Sequence, residues 1–202
     1  MLASDPKKIK QMNNLIETDI INAIRVLEQG GIILYPTDTI WGIGCDATNK
    51  IAVEKIYRVK SRSEAKSLII LLDTIEKLSI YIEKVPDITS DLLASITNPV
   101  TIIYSNARKL ASNVIASDGT IAIRIVKDDF CTELIRRFGK PIVSTSANLS
   151  GLESPAIFSQ IDDDIKKTVD YIVSYKQDTF TRSKPSTIIR LRDDGMYTII
   201  RG

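Results

Sequence analysis

Short apolar runs recur along this chain, and segments with helical periodicity separate several of them. The runs are IILY at 32–35, SLIILL at 67–72, VTIIY at 100–104, TIAIRIV at 120–126 and PIVST at 141–145, with YIVSY, STIIRL and MYTII further on. Continuous apolar runs of this length are typical of strands that are buried on both faces. Helices that alternate with such strands predict an α/β or α+β fold, with helices packed on one sheet.

The helical segments carry signals for their ends. Gly30 and Gly31 follow the first helical pattern and predict its C-terminus, whereas Asn49 is a suitable N-cap for a second helix over 49–60. The expected inner face of the first helix consists of Ile20, Ile21, Ile24 and Leu27. The expected inner face of the second consists of Ile51, Ala52, Ile56 and Val59. Further helical patterns lie around 87–96 and 129–138.

Composition excludes several classes of protein. The chain has 202 residues and no histidine, so a Ser-His-Asp triad, a Cys-His pair and a histidine-rich metal site are all excluded. Its two cysteines lie far apart and do not form a disulfide framework, which favours a reducing compartment. No apolar run approaches the length of a membrane span. We therefore expect one cytoplasmic domain with no membrane partner.

Polar residues and glycines follow the first apolar run, in the segment YPTDTIWGIGCD. Gly42, Gly44 and Ala47 match the G-x-G-x-x-A pattern of dinucleotide-binding folds. In those folds the first glycine directly follows the strand and opens a helix, whereas PTDTIW intervenes here and the helix begins only near Asn49. The glycines are better explained by close approach of the backbone to a ligand or to another strand.

Three further features place polar side chains near buried strands. Lys60 and Arg62 point the same way if the chain is extended there, which suits a phosphate or carboxylate, although basic residues also commonly end helices. The strand PIVST runs into SANLSG, where Ser144, Ser146 and Asn148 share one side at period two, as a ligand site or as a polar turn. Arg124 interrupts an otherwise buried strand and needs a partner or a ligand.

Together these segments resemble the YrdC-like family of threonylcarbamoyl-AMP synthases in its short form. The resemblance extends from about residue 17 to Gly202, and the pieces occur in the family's order: YPTDTIWGIGCD, K-x-R, TIAIRI, STSANLSG, and finally PSTII and IRG. It implies a single YrdC-like domain over 1–202, with a twisted mixed sheet, helices packed on it and a concave ligand-binding cleft. It also implies a nucleotidyltransferase that joins L-threonine, bicarbonate and ATP into L-threonylcarbamoyladenylate and pyrophosphate, for N6-threonylcarbamoyl modification of a tRNA adenosine.

The resemblance implies a role for each of several residues. The tetrad around the ATP phosphates and the carboxyl group being activated would be Lys60, Arg62, Ser146 and Asn148. The residues that bind L-threonine would be Thr37, Arg124, Ser144 and Ser186, with Arg124 on the carboxylate. The nucleotide would contact Lys60, Thr120, Ser146 and Arg201. Mg²⁺ would be carried by ATP without dedicated protein ligands, and the implied partners are threonylcarbamoyl-transfer proteins, with tRNA as a further candidate.

We expect Lys60 and Arg62 to be solvent-facing within the cleft, so that alanine at either position cripples turnover and leaves the fold intact. Two alternative functions stay open. A YciO-type paralogue shares the scaffold and the YPTD-like segment, but lacks the K-x-R and S-x-N elements that this chain has. A double-stranded RNA-binding module would use the basic residues around one segment, namely Lys55, Arg58, Lys60, Arg62 and Lys66.

Overall fold

The computed structural model describes residues 6–60, 68–149, 151–179 and 185–202. The helices in these ranges are α1 (Pro6–Glu28), α2 (Lys50–Val59), α3 (Leu78–Tyr81), α4 (Thr89–Ser95), α5 (Asp129–Phe138) and α6 (Asp163–Thr168), with a 3-10 turn at Phe158–Gln160. The strands are β1 (Ile33–Tyr35), β2 (Gly42–Gly44), β3 (Ile69–Leu72), β4 (Val100–Tyr104), β5 (Ile121–Ile125), β6 (Ile142–Ser146), β7 (Tyr171–Ile172), β8 (Thr187–Leu191) and β9 (Tyr197–Arg201).

One twisted sheet contains all nine of these strands, in the order β7-β1-β2-β6-β3-β5-β4-β8-β9. The pairs β1–β7, β3–β5 and β4–β8 are parallel, and the other neighbours are antiparallel. The mixed α/β architecture with helices on the sheet is therefore confirmed. The dinucleotide-binding alternative is excluded, because β1 continues into an antiparallel partner, β2, rather than into a helix.

Apolar side chains cover both faces of the sheet, because successive residues of a strand point to opposite sides. Ile33 and Tyr35 belong to a core formed with α1 and α5. Ile32 and Leu34 belong to a second core, on the other face, that includes the buried side of α2. The continuous apolar runs in the sequence therefore have the expected origin, namely strands buried on both faces.

Both predicted helix ends are confirmed. The Asn49 side-chain oxygen accepts hydrogen bonds from the amides of Ile51 at 3.0 Å and Ala52 at 3.2 Å, as an N-cap should. Gly30 follows α1 with a φ of +71°, a left-handed conformation that glycine adopts without a steric penalty.

The predicted inner faces of the two helices are wrong at one residue each. Ile21 is 42% exposed and Ile51 is 69% exposed. The buried apolar positions of α1 are Ile20, Ala23 and Leu27, and those of α2 are Ala52, Val53, Ile56 and Tyr57. Each exposed isoleucine is one residue away from the buried row, which rotates its side chain about 100° out of the core.

The two cysteines, Cys45 and Cys131, are both free and buried. Burial raises the pKa of each thiol above its ordinary value, so both are neutral at physiological pH. Within the ranges described above, no helix combines the length and the apolar character needed to cross a membrane.

Candidate functional site

A cleft of about 270 Å³ opens on one face of the sheet. Its apolar floor includes Ile69, Ile103, Ala122 and Ile188, contributed by four different strands. Its polar lining consists of Thr39, Arg124, Ser144, Thr145, Ser146, Ser154, Ser186 and Arg201. Among the described lining residues there are two cations and no carboxylate, so the cleft suits an anionic ligand.

The alternation of side chains along β3 and β6 shows which face carries the cleft. Leu71 and Ile142 pack into the core under α1 and α5. Ile69 lies two residues before Leu71, and Ser144 lies two residues after Ile142, so both are on the same side of the sheet and line the cleft. The cleft is therefore the part of this face that continues beyond the core covered by α1 and α5.

Lys60 follows α2 as its C-cap residue and reaches the end of β6. Its ammonium donates to the Ser146 carbonyl at 2.6 Å, to the Asn148 side-chain oxygen at 3.1 Å, and to the Asn148 carbonyl. The Ser146 hydroxyl lies 3.5 Å from the same nitrogen. The structure thus brings three members of the predicted tetrad together, while their part in catalysis stays a prediction. The fourth member, Arg62, lies outside the described residues.

The expectation that Lys60 is solvent-facing is wrong, since the residue is 2% exposed. Its ammonium is engaged with the backbone of the turn after β6 instead of facing the cleft. The physical reason is that a buried ammonium must donate its hydrogen bonds to nearby acceptors, and the carbonyls of this turn supply them. Lys60 does not line the cleft.

The alternation predicted for Ser144, Ser146 and Asn148 applies only within strand β6. Ser144 and Ser146 lie in β6 and both line the cleft. Asn148 comes after the strand has ended, where the alternation no longer applies, and it is not a lining residue. Its side-chain amide donates to the carbonyls of Leu149, at 3.0 Å, and Leu152. Asn148 therefore organises the segment that follows β6.

Arg124 lies on β5 and lines the cleft although it is only 4% exposed. The partner that the sequence requires is Asp38, whose Oδ1 lies 3.1 Å from Nη2 of Arg124. The Asp38 side chain is 8% exposed. Sequence reasoning did not select Asp38 as a site residue, although it belongs to the YPTD segment and immediately follows Thr37.

Arg201 and Ser186 line the cleft from the C-terminal strands, as the resemblance implies. The guanidinium of Arg201 donates to the Ser186 carbonyl at 2.8 Å, and the Ser186 hydroxyl lies 2.7 Å from that of Thr101. Burial, and to a smaller extent the positive charge of Arg124, lower the pKa of Arg201 from its ordinary value. The two arginines are therefore close enough to interact across the cleft.

Thr37 is buried and shapes the loop between β1 and β2. Its hydroxyl donates to the Ile40 carbonyl at 2.8 Å and accepts from the Thr39 amide at 3.1 Å. Thr39 and Ile40 line the cleft, whereas Thr37 faces a separate cavity of about 10 Å³. The Thr37 side chain therefore lies behind Thr39 and Ile40, which form this part of the cleft wall, and does not line the cleft itself.

Thr120 lies just before β5 and outside the cleft lining. Its hydroxyl donates to the Asp118 carboxylate at 2.6 Å and its amide to the same oxygen at 3.1 Å. These bonds lower the pKa of Asp118 below its usual value. The structure therefore gives Thr120 a turn-forming role and does not bring it to the other predicted residues.

The basic residues proposed for RNA do not form a surface patch where the structure describes them. Lys60 is buried, and the Lys55 ammonium donates to the Gly30 carbonyl at 2.8 Å. The Arg58 side chain is 78% exposed, but it lies 3.8 Å from Glu54. Arg62 and Lys66 lie outside the described residues.

Histidine, cysteine, aspartate and glutamate side chains do not gather in groups of three or more around a possible metal position in the described parts of the chain.

Relatives of known name cover most of the chain. The Sua5/YciO/YrdC family model, described as telomere recombination, matches residues 25–202. The threonylcarbamoyl-AMP synthase of Pseudoalteromonas translucida is 34% identical over 175 residues, which are 85% of this chain and 92% of that protein. The threonylcarbamoyl-AMP synthase of Hahella chejuensis is 35% identical over 183 residues, which are 90% of this chain and 97% of that protein.

Solved structures share the fold. P. abyssi Sua5 complexed with L-threonine has a TM-score of 0.82 at 25% identity, over 90% of this chain and 53% of that one. This chain therefore spans about half the length of that Sua5 protein. E. coli YciO has a TM-score of 0.78 at 26% identity, over 90% of this chain and 87% of that one. On the sequence match, the fold and the cleft together, the chain belongs to the Sua5/YciO/YrdC family.

Proposed function

We propose that the protein is an L-threonylcarbamoyladenylate synthase. The threonine amine adds to the carbon of bicarbonate and water leaves, which gives a carbamate. A carbamate oxygen then attacks the α-phosphorus of ATP, and the bond from that phosphorus to the α,β-bridging oxygen breaks, so that the β- and γ-phosphates leave together as pyrophosphate. Relatives that are 34% and 35% identical over most of the chain and carry the name of this activity support the proposal.

The observation that carries the proposal is the composition of the cleft. It combines Arg124 and Arg201 with a row of hydroxyl groups on β6 and near β8. Every substrate of the reaction is anionic at one end: threonine has a carboxylate, bicarbonate is an anion, and ATP carries its triphosphate. Two guanidinium groups and short hydroxyls are the donors that such groups need.

The two arginines divide the cleft into two subsites. Arg124, on β5, takes the threonine carboxylate, with Ser144 and Ser186 beside it and Thr37 supporting the loop behind. Arg201, on β9, takes the nucleotide phosphates together with Ser146. Thr120, which lies just before β5 and outside the cleft lining, is given no part in either subsite.

Two further members of the tetrad, Lys60 and Asn148, act on the turn after β6. Lys60 and Asn148 hold the backbone on which Ser146 is presented to the cleft. We assign Arg62, two residues beyond Lys60, to the ATP phosphates. Mg²⁺ enters as part of the ATP substrate and is bound by phosphate oxygens and water.

Catalysis without histidine is consistent with this arrangement. Once the carbamate has formed, in-line attack on phosphorus requires alignment of the reactants and neutralisation of phosphate charge rather than a proton shuttle. Fixed guanidinium and hydroxyl donors in a partly enclosed cleft supply both. The product is a mixed anhydride, which a second protein must accept for transfer to a tRNA adenosine.

The experiment is a test of substrate dependence. The protein is incubated with Mg²⁺, ATP and ¹⁴C-bicarbonate, with and without L-threonine, and both pyrophosphate and labelled adenylate are measured. We expect equimolar formation of the two products, only when threonine is present. Pyrophosphate release at the same rate without threonine would refute the proposal.

The similarity to E. coli YciO supports a second candidate, a YciO-type paralogue with another activity. The same assay separates the two candidates. A protein that binds ATP but forms no labelled adenylate with threonine would belong to the second.

A further inference from the structure

Asp38 lies next to Arg124 but has no role in the proposed reaction as described above. Its carboxylate faces Arg124, at 3.1 Å from Oδ1 to Nη2, and both side chains are more than nine-tenths buried. Asp38 does not line the cleft, so it contacts Arg124 from the protein side, while Arg124 itself lines the cleft. Within the described residues, neither carboxylate oxygen makes a hydrogen bond of good geometry, nor does Nε of Arg124.

Among the described residues, the ion pair of Asp38 is with Arg124. Tyr35 and Cys131 are the other ionisable groups that interact with Asp38 in this part of the core. Burial raises the pKa of both, so each is neutral near pH 7. A carboxylate buried at this depth costs several kcal/mol unless a cation compensates it, by order of magnitude. Arg124 therefore supplies the positive charge that lies against the buried Asp38 carboxylate.

We propose that Asp38 is a positioning residue, which fixes the guanidinium of Arg124 for the carboxylate of the amino-acid substrate. This inference rests on the proposed function. A guanidinium is a planar fork whose usefulness depends on its orientation, because it binds a carboxylate through two parallel hydrogen bonds. Asp38 restrains one terminal nitrogen and leaves the remaining donors to be presented towards the cleft.

The same contact separates the tasks of the two arginines. Asp38 compensates the charge of Arg124, whereas the hydrogen bond described for Arg201 goes to the neutral Ser186 carbonyl. Arg201 therefore contributes most of the positive potential for the phosphates, whereas Arg124 orients the carboxylate of the amino acid. Without Asp38, two uncompensated cations would share one cleft and repel each other. Loss of Asp38 should thus affect the amino-acid subsite far more than the nucleotide subsite.

The test measures KM for L-threonine and for ATP in wild type, Asp38→Asn, Asp38→Glu, Arg124→Gln and the double variant Asp38→Asn/Arg124→Gln. We expect Asp38→Asn to raise the threonine KM roughly tenfold, the effect of one lost charge-assisted contact, with the ATP KM within about twofold of wild type. Asp38→Glu keeps the charge but displaces the guanidinium, so it should raise the same KM. In the double variant we expect no rise beyond that of Arg124→Gln alone, because Asp38 acts through Arg124.

Asp46→Asn is the matched control. Asp46 is also buried and lies 2.8 Å from a lysine, Lys140, but it is not a lining residue of the cleft. Its replacement should lower stability and leave both KM values unchanged. This control separates the loss of any ion pair to a buried carboxylate from the loss of the one behind Arg124.

Two results would overturn the inference while leaving the proposed function standing. One is an active wild type whose threonine KM is unchanged in both Asp38 variants, and the other is an additive effect in the double variant. Calorimetric titration with L-threonine alone gives the same comparison as dissociation constants, so it applies even if pyrophosphate release fails. A wild type that neither binds threonine nor turns it over would overturn both the inference and the proposed function.

Discussion

Lys60→Met removes the ammonium that joins α2 to the turn after β6 and keeps most of the side-chain volume. The Ser146 carbonyl retains a second hydrogen bond, from the Asn148 amide at 2.9 Å, whereas the described partner of the Asn148 carbonyl is Lys60. An unsatisfied buried acceptor costs about 1–3 kcal/mol, and each hydrogen bond from a charged donor contributes about 1.5–3 kcal/mol. Folding of the variant no longer has to bury an ammonium, which offsets part of this loss. We expect the free energy of unfolding to fall by about 2–4 kcal/mol.

Urea denaturation followed by circular dichroism measures this loss. With a slope of about 2 kcal/mol per molar urea, the midpoint should fall by about 1–2 M. Lys55→Met is the matched control, because Lys55 also lies on α2 and donates to a backbone carbonyl, that of Gly30, at 2.8 Å. With its single described bond, the control should lose about 1 kcal/mol. Equal midpoints for the two variants would refute the view that Lys60 holds the turn.

Three further predictions concern other parts of the molecule. Arg201→Gln should raise the ATP KM about tenfold in the pyrophosphate assay, and an equal rise in the threonine KM would contradict separate subsites. Asn49→Ala should lower the free energy of unfolding by about 1 kcal/mol in urea, through loss of the α2 cap, and an unchanged midpoint would contradict that. Burial, aided by the bond to Asp19, raises the pKa of Tyr171 to about 12. The native state then keeps a proton that the unfolded chain releases, so stability should fall as pH rises above the ordinary tyrosine value of about 10. Tyr171→Phe should show a shallower decline, and an identical decline would exclude Tyr171 as a contributor.

Elements whose signal is local could be predicted from the sequence. The cap at Asn49 and the left-handed glycine after α1 depend on residues within a few positions, and both are as expected. The strand β2 could not be predicted, because it is three residues long and contains two glycines. It exists because its neighbours, β1 and β6, pair with it on both sides. A Cβ on Gly44 would lie 2.6 Å from the Val143 carbonyl, so the glycine is required by a partner far along the chain.

In the candidate site, too, some residues could be predicted from local sequence signals and others could not. Arg124, Ser144, Ser146, Ser186 and Arg201 reach one cleft because each lies in a strand of the sheet or next to one, and strand runs are visible in the sequence. The burial of Lys60 could not be predicted, because it depends on two carbonyls that lie 86 and 88 residues away in the sequence. Asp38 was missed because nothing in its local sequence shows that it will face Arg124.

The strand β9 lies at one edge of the sheet and carries one of the two cations found among the described residues of the cleft. All five of its residues are exposed, and its described strand neighbour is β8 alone. Local unfolding of an edge strand costs less free energy than unfolding of the centre of a sheet. Arg201 therefore lies in the part of the cleft that opens most readily. An anion bound to Arg201 would stabilise the paired state of β9, and fraying of β9 would release the anion. Ligand affinity and the opening of β9 are thus coupled through one equilibrium.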